Sequence, residues 1–192
     1  GILFESIAIV NINKEEKLNL NLIWNQMHLV TNYNTCNFWL NNGVNGAYLS
    51  TEITKEDIIN IKKNTNMKVF AYLYGYLPMF ESSRKLITNF LKYNHIKKNN
   101  DIYYLYEEER KKYYLIYEKH NETYILEDII NGIREVNELV DNNIDYIVIN
   151  GLFIKEFIFN SIISNYIDVL KGTDVNILFN NMKNNKTGYL KK

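Results

Sequence analysis

The sequence has very little cysteine or proline: Cys36 and Pro78 are the only ones in 192 residues. A single cysteine can form no internal disulfide and no cysteine-based metal site, so we expect a fold held by its core in a reducing, cytoplasmic setting. Net charge is also absent, with 22 Lys+Arg against 22 Asp+Glu, which argues against a strongly basic surface but leaves a local basic patch open. No apolar run reaches the roughly 18 residues of a membrane span and no signal-peptide pattern is present, so no membrane association is expected.

Four residue types dominate what is present: 31 Asn, 26 Ile, 19 Lys and 16 Tyr. This bias is typical of an AT-rich bacterial genome, because the codons for these residues are rich in A and T. A single Asn or Lys therefore carries little chemical information. The chain begins at Gly1 in an apolar segment and stops at Lys192 without an evident terminal element, so we expect a piece of a longer protein.

Short apolar runs alternate with segments of helical periodicity along nearly the whole chain, which is typical of an α/β protein. The predicted strands are Ser6–Asn11, Leu22–Gln26, Gly46–Ser50, Lys68–Tyr74, Tyr113–Glu118, Asp145–Asn150 and Asn176–Phe179. The predicted helices are Asn34–Asn41, Lys55–Lys63, Glu127–Val140 and Leu152–Leu170, the last expected to be buried on two sides. The polar segment Tyr93–Asp101 is expected to be a solvated loop.

The predicted fold is a TIM-barrel-like (βα) repeat, incomplete at its N-terminus. Six or seven βα steps come close to the eight steps and roughly 250 residues of a full barrel. An open doubly wound sheet is the alternative, but the glycine-rich phosphate loop of a dinucleotide fold is absent. No linker divides the chain, so a single domain over residues 1–192 is expected.

Candidate catalytic residues follow from the fold, because the sequence contains no GxSxG, HExxH, Walker A or CxxC motif. Barrels place their chemistry at the carboxyl ends of the strands. The side chains at the end of a predicted strand or just after it are those of His28, Glu52, Tyr74, Glu118 and Asn150. Of these, His28, Glu52 and Glu118 are the catalytic candidates, although a surface role is the plainer interpretation of any one histidine.

The segment Val69–Asn89 is the most unusual in the chain. A strand runs into Gly75, and Ser82 and Ser83 precede Arg84 and an amphipathic helix. A serine cap and the amides of the first helical turn favour an anion there, to which Arg84 adds a positive charge. We therefore predict a ligand or phosphate site at Gly75, Ser83 and Arg84, together with Asn25 at an earlier strand end; an ordinary strand–loop–helix joint is the alternative.

The order of these segments resembles the peptidase U32 family, also called collagenase-like proteases, over essentially all 192 residues. The resemblance is carried by Asn25-Gln26, Thr31-Asn32, Leu49 to Thr54, Gly75 to Asn89, Glu118 to Thr123 and Asp145 to Gly151. Gly75 and Arg84 match the family's glycine and arginine, and Thr88 stands for a downstream serine. Pro78 and Lys85 occupy its two cysteine positions, while Thr123 and Gly151 are the residues kept in two later motifs.

The resemblance implies a function in RNA modification. The cysteine-bearing members are similar to factors that hydroxylate RNA bases with an iron–sulfur cluster, and this chain resembles the shorter, cysteine-poor members. It implies a subunit in prephenate-dependent 5-hydroxylation of tRNA wobble uridine, with a cysteine-bearing paralogue and tRNA as partners. Arg84 and the polar strand ends would then bind a small carboxylate such as prephenate, or an RNA phosphate, and no cofactor would be bound through cysteines.

Two alternatives stay open at this point. The family name implies a metal-dependent collagenase-like peptidase, for which His28, Glu52 and Glu118 are the only ligand set that the sequence offers. The replaced motif residues instead favour a barrel that has lost its chemistry and serves as a non-catalytic binding or scaffold subunit.

Overall fold

The structure, a computed structural model, describes residues 1–26, 29–180 and 186–191. The chain divides into two compact units. The first unit comprises Gly1–Gly75 and Ile130–Lys192, and the second comprises Tyr76–Ile129. The prediction of a single domain over the whole chain stays a prediction.

The strands are β1 (Ile2–Phe4), β2 (Leu22–Trp24), β3 (Gly46–Tyr48), β4 (Lys68–Ser82), β5 (Ile102–Glu107), β6 (Lys112–Lys119), β7 (Glu122–Asn131) and β8 (Tyr146–Ile149). The α-helices are α1 (Ala8–Glu15), α2 (Tyr33–Asn41), α3 (Lys55–Lys63), α4 (Leu86–Tyr93), α5 (Val136–Asp141), α6 (Glu156–Leu170) and α7 (Val175–Asn180). Two 3-10 turns, Ile133–Glu135 and Gly188–Leu190, complete the described elements. Within the described ranges, no helix is both long and apolar enough to cross a membrane.

The first unit is built on parallel strands in the order β1, β2, β3, β4, β8. Each of these strands lies beside the next one along the chain, so the order contains no reversal. A doubly wound sheet requires a reversal, whereas a (βα) barrel adds its strands in sequence. The α/β class is therefore confirmed, and a closed TIM barrel is not, because among the described strands β1 pairs only with β2 and β8 only with β4.

The second unit contains an antiparallel meander, β5–β6–β7, with α4. Strand β7 is also the neighbour of β4 in the sheet. The β6–β7 connection is a two-residue turn between the paired residues Lys119 and Glu122. Its residues His120 and Asn121 have φ of 51° and 73°, the positive values that a type I′ hairpin turn needs. One face of the meander packs on α4 through a cluster that includes Ile87, Leu91 and Ile116.

Helix α3 forms where the sequence predicts it, because its N-terminal cap and its buried face both come from residues of the same segment. The side chain of Thr54 accepts a hydrogen bond from the Asp57 amide, and the Asp57 carboxylate accepts one from the Thr54 amide, a complete capping box. Ile58, Ile59 and Ile61 are buried on one side. The prediction of a helix over Lys55–Lys63 is confirmed with the same bounds.

Two predicted strands are helices. The segment Ser6–Asn11 falls largely in α1, and the first strand is the preceding segment Ile2–Phe4. Asn176–Phe179 lies inside α7. Short apolar runs do not distinguish a strand from a helix by periodicity, and in α1 only Val10 is buried.

The predicted helix Glu127–Val140 is wrong over its first half. Strand β7 continues to Asn131, and only Val136–Asp141 forms an α-helix. The break falls at Gly132, whose amide donates to the Leu73 carbonyl oxygen at 2.7 Å. An ideal Cβ at Gly132 would lie 2.7 Å from a Leu190 methyl group and 3.1 Å from a Leu73 methyl group, so a larger residue there would displace these leucine side chains.

Helix α6 confirms the predicted helix over Leu152–Leu170 except for its first turn. Within this chain it is buried on one side, through Ile162, Tyr166 and Val169. Phe157 is 70% exposed and Leu170 is 52% exposed, so burial of the second side, under a further element or a partner, stays a prediction. The predicted loop Tyr93–Asp101 is confirmed for residues 94–101, which lie between α4 and β5, whereas Tyr93 is the last residue of α4.

Candidate functional site

The carboxyl ends of the parallel strands gather polar side chains in the first unit. At the end of β2, the Asn25 side-chain amide donates to the Glu5 carboxylate at 3.2 Å. The Gln26 side chain donates to the Glu5 backbone carbonyl at 3.4 Å. Because β1 and β2 are parallel and neighbours, these side chains meet at the edge where barrel enzymes bind their ligands.

The end of β3 holds the second polar group of this edge. The Ser50 side chain is 3% exposed and its hydroxyl accepts a hydrogen bond from the Glu52 amide at 3.2 Å. The Ser50 amide in turn donates to the Val30 carbonyl at 2.9 Å. Glu52 itself is exposed, so Ser50 fixes the turn that carries this candidate carboxylate.

The middle of β4, where it meets the carboxyl end of β8, explains why Gly75 is glycine. Its φ is +130°, and an added Cβ would lie 2.7 Å from the Asn150 carbonyl oxygen and 2.9 Å from the Asn150 Cβ. The Tyr72 hydroxyl would lie closer still to this Cβ, and it is hydrogen-bonded to the Asn150 side chain. Burial raises the pKa of Tyr72, and its bond to Asn150 works in the opposite direction without reversing the rise. Gly75 thus lets β4 and the end of β8 approach closely.

The structure does not bring all the predicted ligand residues together. The strand pairing aligns Trp24 with Ala47 and Tyr48 with Phe70, which places Asn25 near the level of Phe70. Gly75 lies five residues further along β4, about 16 Å at the rise of a β-strand. Gly75 and Asn150 therefore form one group, and Asn25 with Glu5 forms another.

The start of α4 is the third place where candidate residues meet, and it lies in the second unit. Lys85 is the N-cap residue of α4, without a side-chain capping bond. The cap is supplied by Thr123, whose hydroxyl accepts from the Leu86 amide at 2.9 Å and donates to the Arg84 carbonyl at 2.6 Å. The predicted serine cap is therefore wrong.

Glu118 also accepts hydrogen bonds from the first turn of α4. Its carboxylate accepts from the Thr88 amide at 2.8 Å and from the Thr88 hydroxyl at 2.5 Å. The Lys98 ammonium lies 3.3 Å from it, and the Glu118 side chain is 6% exposed. Burial alone would raise the pKa of Glu118, but the bonds from Thr88 and Lys98 outweigh it and lower the pKa.

The protein therefore supplies its own anion to the amides of the first turn of α4. Binding of an external ligand by Ser83 and Arg84 stays a prediction; the Arg84 side chain is exposed. Thr88 and Thr123 were not among the predicted site residues, although the resemblance to the family included both, with Thr88 standing for a serine. A shallow pocket of about 210 Å³ opens beside this joint, lined by Lys85, Thr88, Lys98, Glu118, Lys119, His120 and Asn121.

The remaining candidates do not assemble into a metal centre in the part of the chain that the structure describes. No group of three or more His, Cys, Asp or Glu side chains with suitable placement occurs there. His28 lies outside the described residues. Glu52 belongs to the first unit, and Glu118, in the second, is engaged by Thr88 and Lys98.

An iron–sulfur cluster, the cofactor implied by the family resemblance, does not fit the residues of this chain. Such a cluster needs several thiolates, and Cys36 is the only cysteine among the 192 residues. Cys36 lies fully buried on α2. Burial raises the pKa of its thiol to about 11, so the thiol stays protonated and poorly suited to bind a metal.

The strand order and the polar strand ends define an α/β protein with barrel-like winding. The sequence pattern of peptidase family U32 matches residues 1–187. The chain therefore belongs to peptidase family U32, as its motifs predict.

A curated relative gives a second point of comparison. The chain is similar to "tRNA hydroxylation protein P2" of Bacillus subtilis (strain 168), with 31% identity over 156 residues. The alignment covers 78% of this chain and 50% of the relative, so the chain spans about half the length of the curated relative that it matches. No solved structure shows a significant match.

Proposed function

We propose that this protein takes part in the hydroxylation of tRNA. The observation that carries the proposal is the 31% identity to "tRNA hydroxylation protein P2" over 156 residues, within a shared U32 pattern over residues 1–187. The U32 pattern over residues 1–187 includes the start of α4, where Thr88 donates to Glu118 and the Leu86 amide donates to Thr123. In this proposal the reaction is the prephenate-dependent 5-hydroxylation of the wobble uridine, and a small carboxylate such as prephenate is a ligand of the complex.

The protein acts in this reaction as a subunit beside a cysteine-bearing U32 paralogue. The chemistry of Cys36 supports this division of labour, because one buried thiol with a raised pKa cannot hold a redox cluster. The paralogue supplies the redox centre. This chain contributes binding groups, with Arg84 and the polar residues at the strand ends as the groups that contact an anion.

The peptidase alternative gains no support from the geometry. A hydrolytic metal site needs several ligands and an open coordination position. Glu118 is 6% exposed and saturated by Thr88 and Lys98, so its oxygens are committed to the helix terminus. The proposal is compatible with the scaffold alternative, because a subunit can be required for hydroxylation without being catalytic itself.

Affinity purification of the tagged full-length protein from its own cells tests the proposal. A cysteine-bearing U32 paralogue is expected to co-purify, and the complex is expected to hydroxylate unmodified tRNA when prephenate is present. Complexes carrying Arg84→Ala test the predicted anion contact, and complexes carrying Glu52→Ala test a catalytic candidate. Glu56→Ala on the exposed side of α3 is the matched control. Purification without a paralogue, combined with chelator-sensitive cleavage of gelatin, would replace the proposal by the peptidase alternative.

A further inference from the structure

Helix α4 and the loop that follows it carry a concentration of positive charge. Residues 82–100 contain no Asp or Glu, and their Lys and Arg residues, which we call the basic segment, are Arg84, Lys85, Lys92, Lys97 and Lys98. All of these side chains are exposed. Because the whole chain has 22 Lys+Arg and 22 Asp+Glu, the remainder carries a net negative charge. A local cluster of this kind favours a polyanionic partner at one place on the surface.

The loop after α4 folds back toward the start of the helix. His95, just past the end of α4, has a φ of 57° and turns the chain. The Lys98 ammonium then lies 3.3 Å from the Glu118 carboxylate, which accepts hydrogen bonds from Thr88 in the first turn of α4. Lys98 and Lys85, which are distant in sequence, therefore both line the pocket of about 210 Å³ beside the start of the helix.

The pocket itself is basic. Lys119 and His120, at the β6–β7 connection, line it together with Lys85 and Lys98. The carboxylate that lines it is that of Glu118, which is 6% exposed and paired with Lys98. The positive charges of the pocket therefore exceed its negative charge, and they come from three different elements of the second unit.

Two lysines continue the positive charge along α4. Lys85 and Lys92 are seven residues apart, which places them on one side of the helix and about 10 Å apart along its axis. This side faces away from the buried residues Ile87 and Leu91. No ion pair in the described part of the chain involves Lys85 or Lys92. A shallow pocket that exposed lysines extend fits a long polyanion better than a small enclosed ligand.

Lys85 lies where a helix disfavours a positive charge. It is the N-cap residue of α4, its side chain makes no capping bond, and the first turn contains no acidic residue. A cation near a helix N-terminus reduces stability, because the helix dipole is positive there. The Leu86 and Thr88 amides are already bound by Thr123 and Glu118, so the helix terminus itself is not the binding site. A charge that opposes the local rule is typical of a functional residue.

We propose that the basic segment and the pocket beside it bind the phosphate backbone of tRNA. Lysine ammonium groups neutralise RNA phosphates without reading the bases, which suits exposed lysines that are spread along α4 and around the pocket. The inference rests on the proposed function, which supplies tRNA as the substrate class. It adds the surface through which this chain holds that RNA, the α4 side of the second unit.

Fluorescence anisotropy with a labelled anticodon stem–loop RNA and the full-length protein tests this inference. Lys85→Ala/Lys92→Ala is expected to weaken binding by about tenfold or more at about 0.1 M salt. It is also expected to lower the slope of log affinity against log salt by about 1.4–1.8, the loss of two phosphate contacts. Lys85→Arg/Lys92→Arg keeps both charges and is expected to bind within about threefold of the unaltered protein. The matched control is Lys63→Ala/Lys171→Ala, which removes two exposed lysines of the first unit.

Two further measurements separate phosphate binding from a structural effect. Changing the loop bases of the RNA is expected to leave the loss of affinity in Lys85→Ala/Lys92→Ala the same, because phosphate contacts carry no sequence information. The single variant Lys85→Ala is expected to be at least as stable as the unaltered protein in urea denaturation, since it removes a cation from a helix N-terminus. It is nevertheless expected to bind RNA more weakly.

Several results would overturn the inference. Unchanged RNA affinity and salt slope in Lys85→Ala/Lys92→Ala, or an equal loss in Lys63→Ala/Lys171→Ala, removes the basic segment from RNA binding. A loss that Lys85→Arg/Lys92→Arg shows to the same extent assigns the effect to side-chain shape and contradicts a role of charge. These results are distinct from a failure of the proposed function. Hydroxylation that is lost on deletion of the gene, combined with unimpaired RNA binding by the alanine variant, refutes the surface alone, whereas normal hydroxylation after deletion refutes the function.

Discussion

The start of α4 offers the sharpest test of the structure, through the substitution Glu118→Gln. The Glu118 carboxylate receives the Thr88 amide at 2.8 Å, the Thr88 hydroxyl at 2.5 Å and the Lys98 ammonium at 3.3 Å. Glutamine is nearly isosteric and keeps one carbonyl oxygen for the Thr88 amide. It loses the negative charge and leaves the Thr88 hydroxyl with a weaker acceptor.

The expected loss is about 2 kcal/mol of unfolding free energy. A hydrogen bond to a charged group is worth about 1.5–3 kcal/mol, and the charge at the helix N-terminus adds about 0.3–1 kcal/mol. The contact with Lys98, whose side chain is 39% exposed, adds little because solvent screens it. The glutamine carbonyl keeps part of this stabilisation, because it can still accept the hydrogen bond from the Thr88 amide.

The effect also has a defined pH dependence. The pKa of Glu118 is lowered in the folded protein, because its bonds favour the charged carboxylate. The stabilisation that the carboxylate gives to the folded protein is therefore fully present above the ordinary glutamate pKa of about 4.3, and it is lost as the pH falls through the lowered pKa. The stability difference between the unaltered protein and Glu118→Gln is therefore expected to be full at neutral pH and to shrink in acid.

Urea denaturation followed by circular dichroism measures the loss, and hydrogen exchange of the Thr88 amide locates it. The matched control is Glu108→Gln, an exposed carboxylate outside any described ion pair, which is expected to change stability by less than about 0.5 kcal/mol. A Glu118→Gln protein as stable as the control, with unchanged protection of the Thr88 amide, would refute the assignment of Glu118 to the helix terminus.

Three further predictions concern the first unit. Gly75→Ala is expected to destabilise the protein by at least about 2 kcal/mol in urea denaturation, because φ is +130° and the new Cβ meets Asn150; stability equal to the parent would contradict the close approach. Tyr166→Phe is expected to cost about 1 kcal/mol in the same assay, since the Tyr166 hydroxyl lies 3.0 Å from the Leu73 carbonyl and is buried. Cys36, with its pKa raised to about 11 by burial, is expected to resist iodoacetamide at neutral pH in the folded protein and to react after unfolding, as mass spectrometry can show; rapid labelling of the folded protein would contradict its burial.

Local sequence signals predicted the elements whose causes are local. The capping box at Thr54 and Asp57 and the buried isoleucines defined α3 within its own segment. Four of the five parallel strands of the first unit, β2, β3, β4 and β8, were found because a strand in a parallel sheet is covered on both faces and its apolar residues run together. Gly75 was recognised from its motif, and its positive φ explains why a glycine is needed there.

The elements that sequence missed depend on distant partners. The cap of α4 comes from Thr123 and Glu118, which lie 37 and 30 residues from the amides that they accept, so the nearer Ser82 and Ser83 suggested a cap that does not form. The end of β7, Glu127–Asn131, was taken for a helix because Ile129, Ile133 and Val136 recur at helical spacing. It belongs to a strand that lies beside β4 in the sheet, a partner that is distant in sequence.

The hydroxylation state of cellular tRNA tests the central claim most directly. The measurement is the 5-hydroxyuridine content of total tRNA, determined by mass spectrometry of nucleosides, in cells that lack the gene and in cells complemented with it. The account predicts a loss of the modification on deletion, and its recovery with the unaltered gene and equally with Cys36→Ser, because this chain holds no redox centre through its cysteine. Normal hydroxylation in the deletion strain would contradict the proposed function, and failure of Cys36→Ser to restore it would contradict the passive role of the thiol.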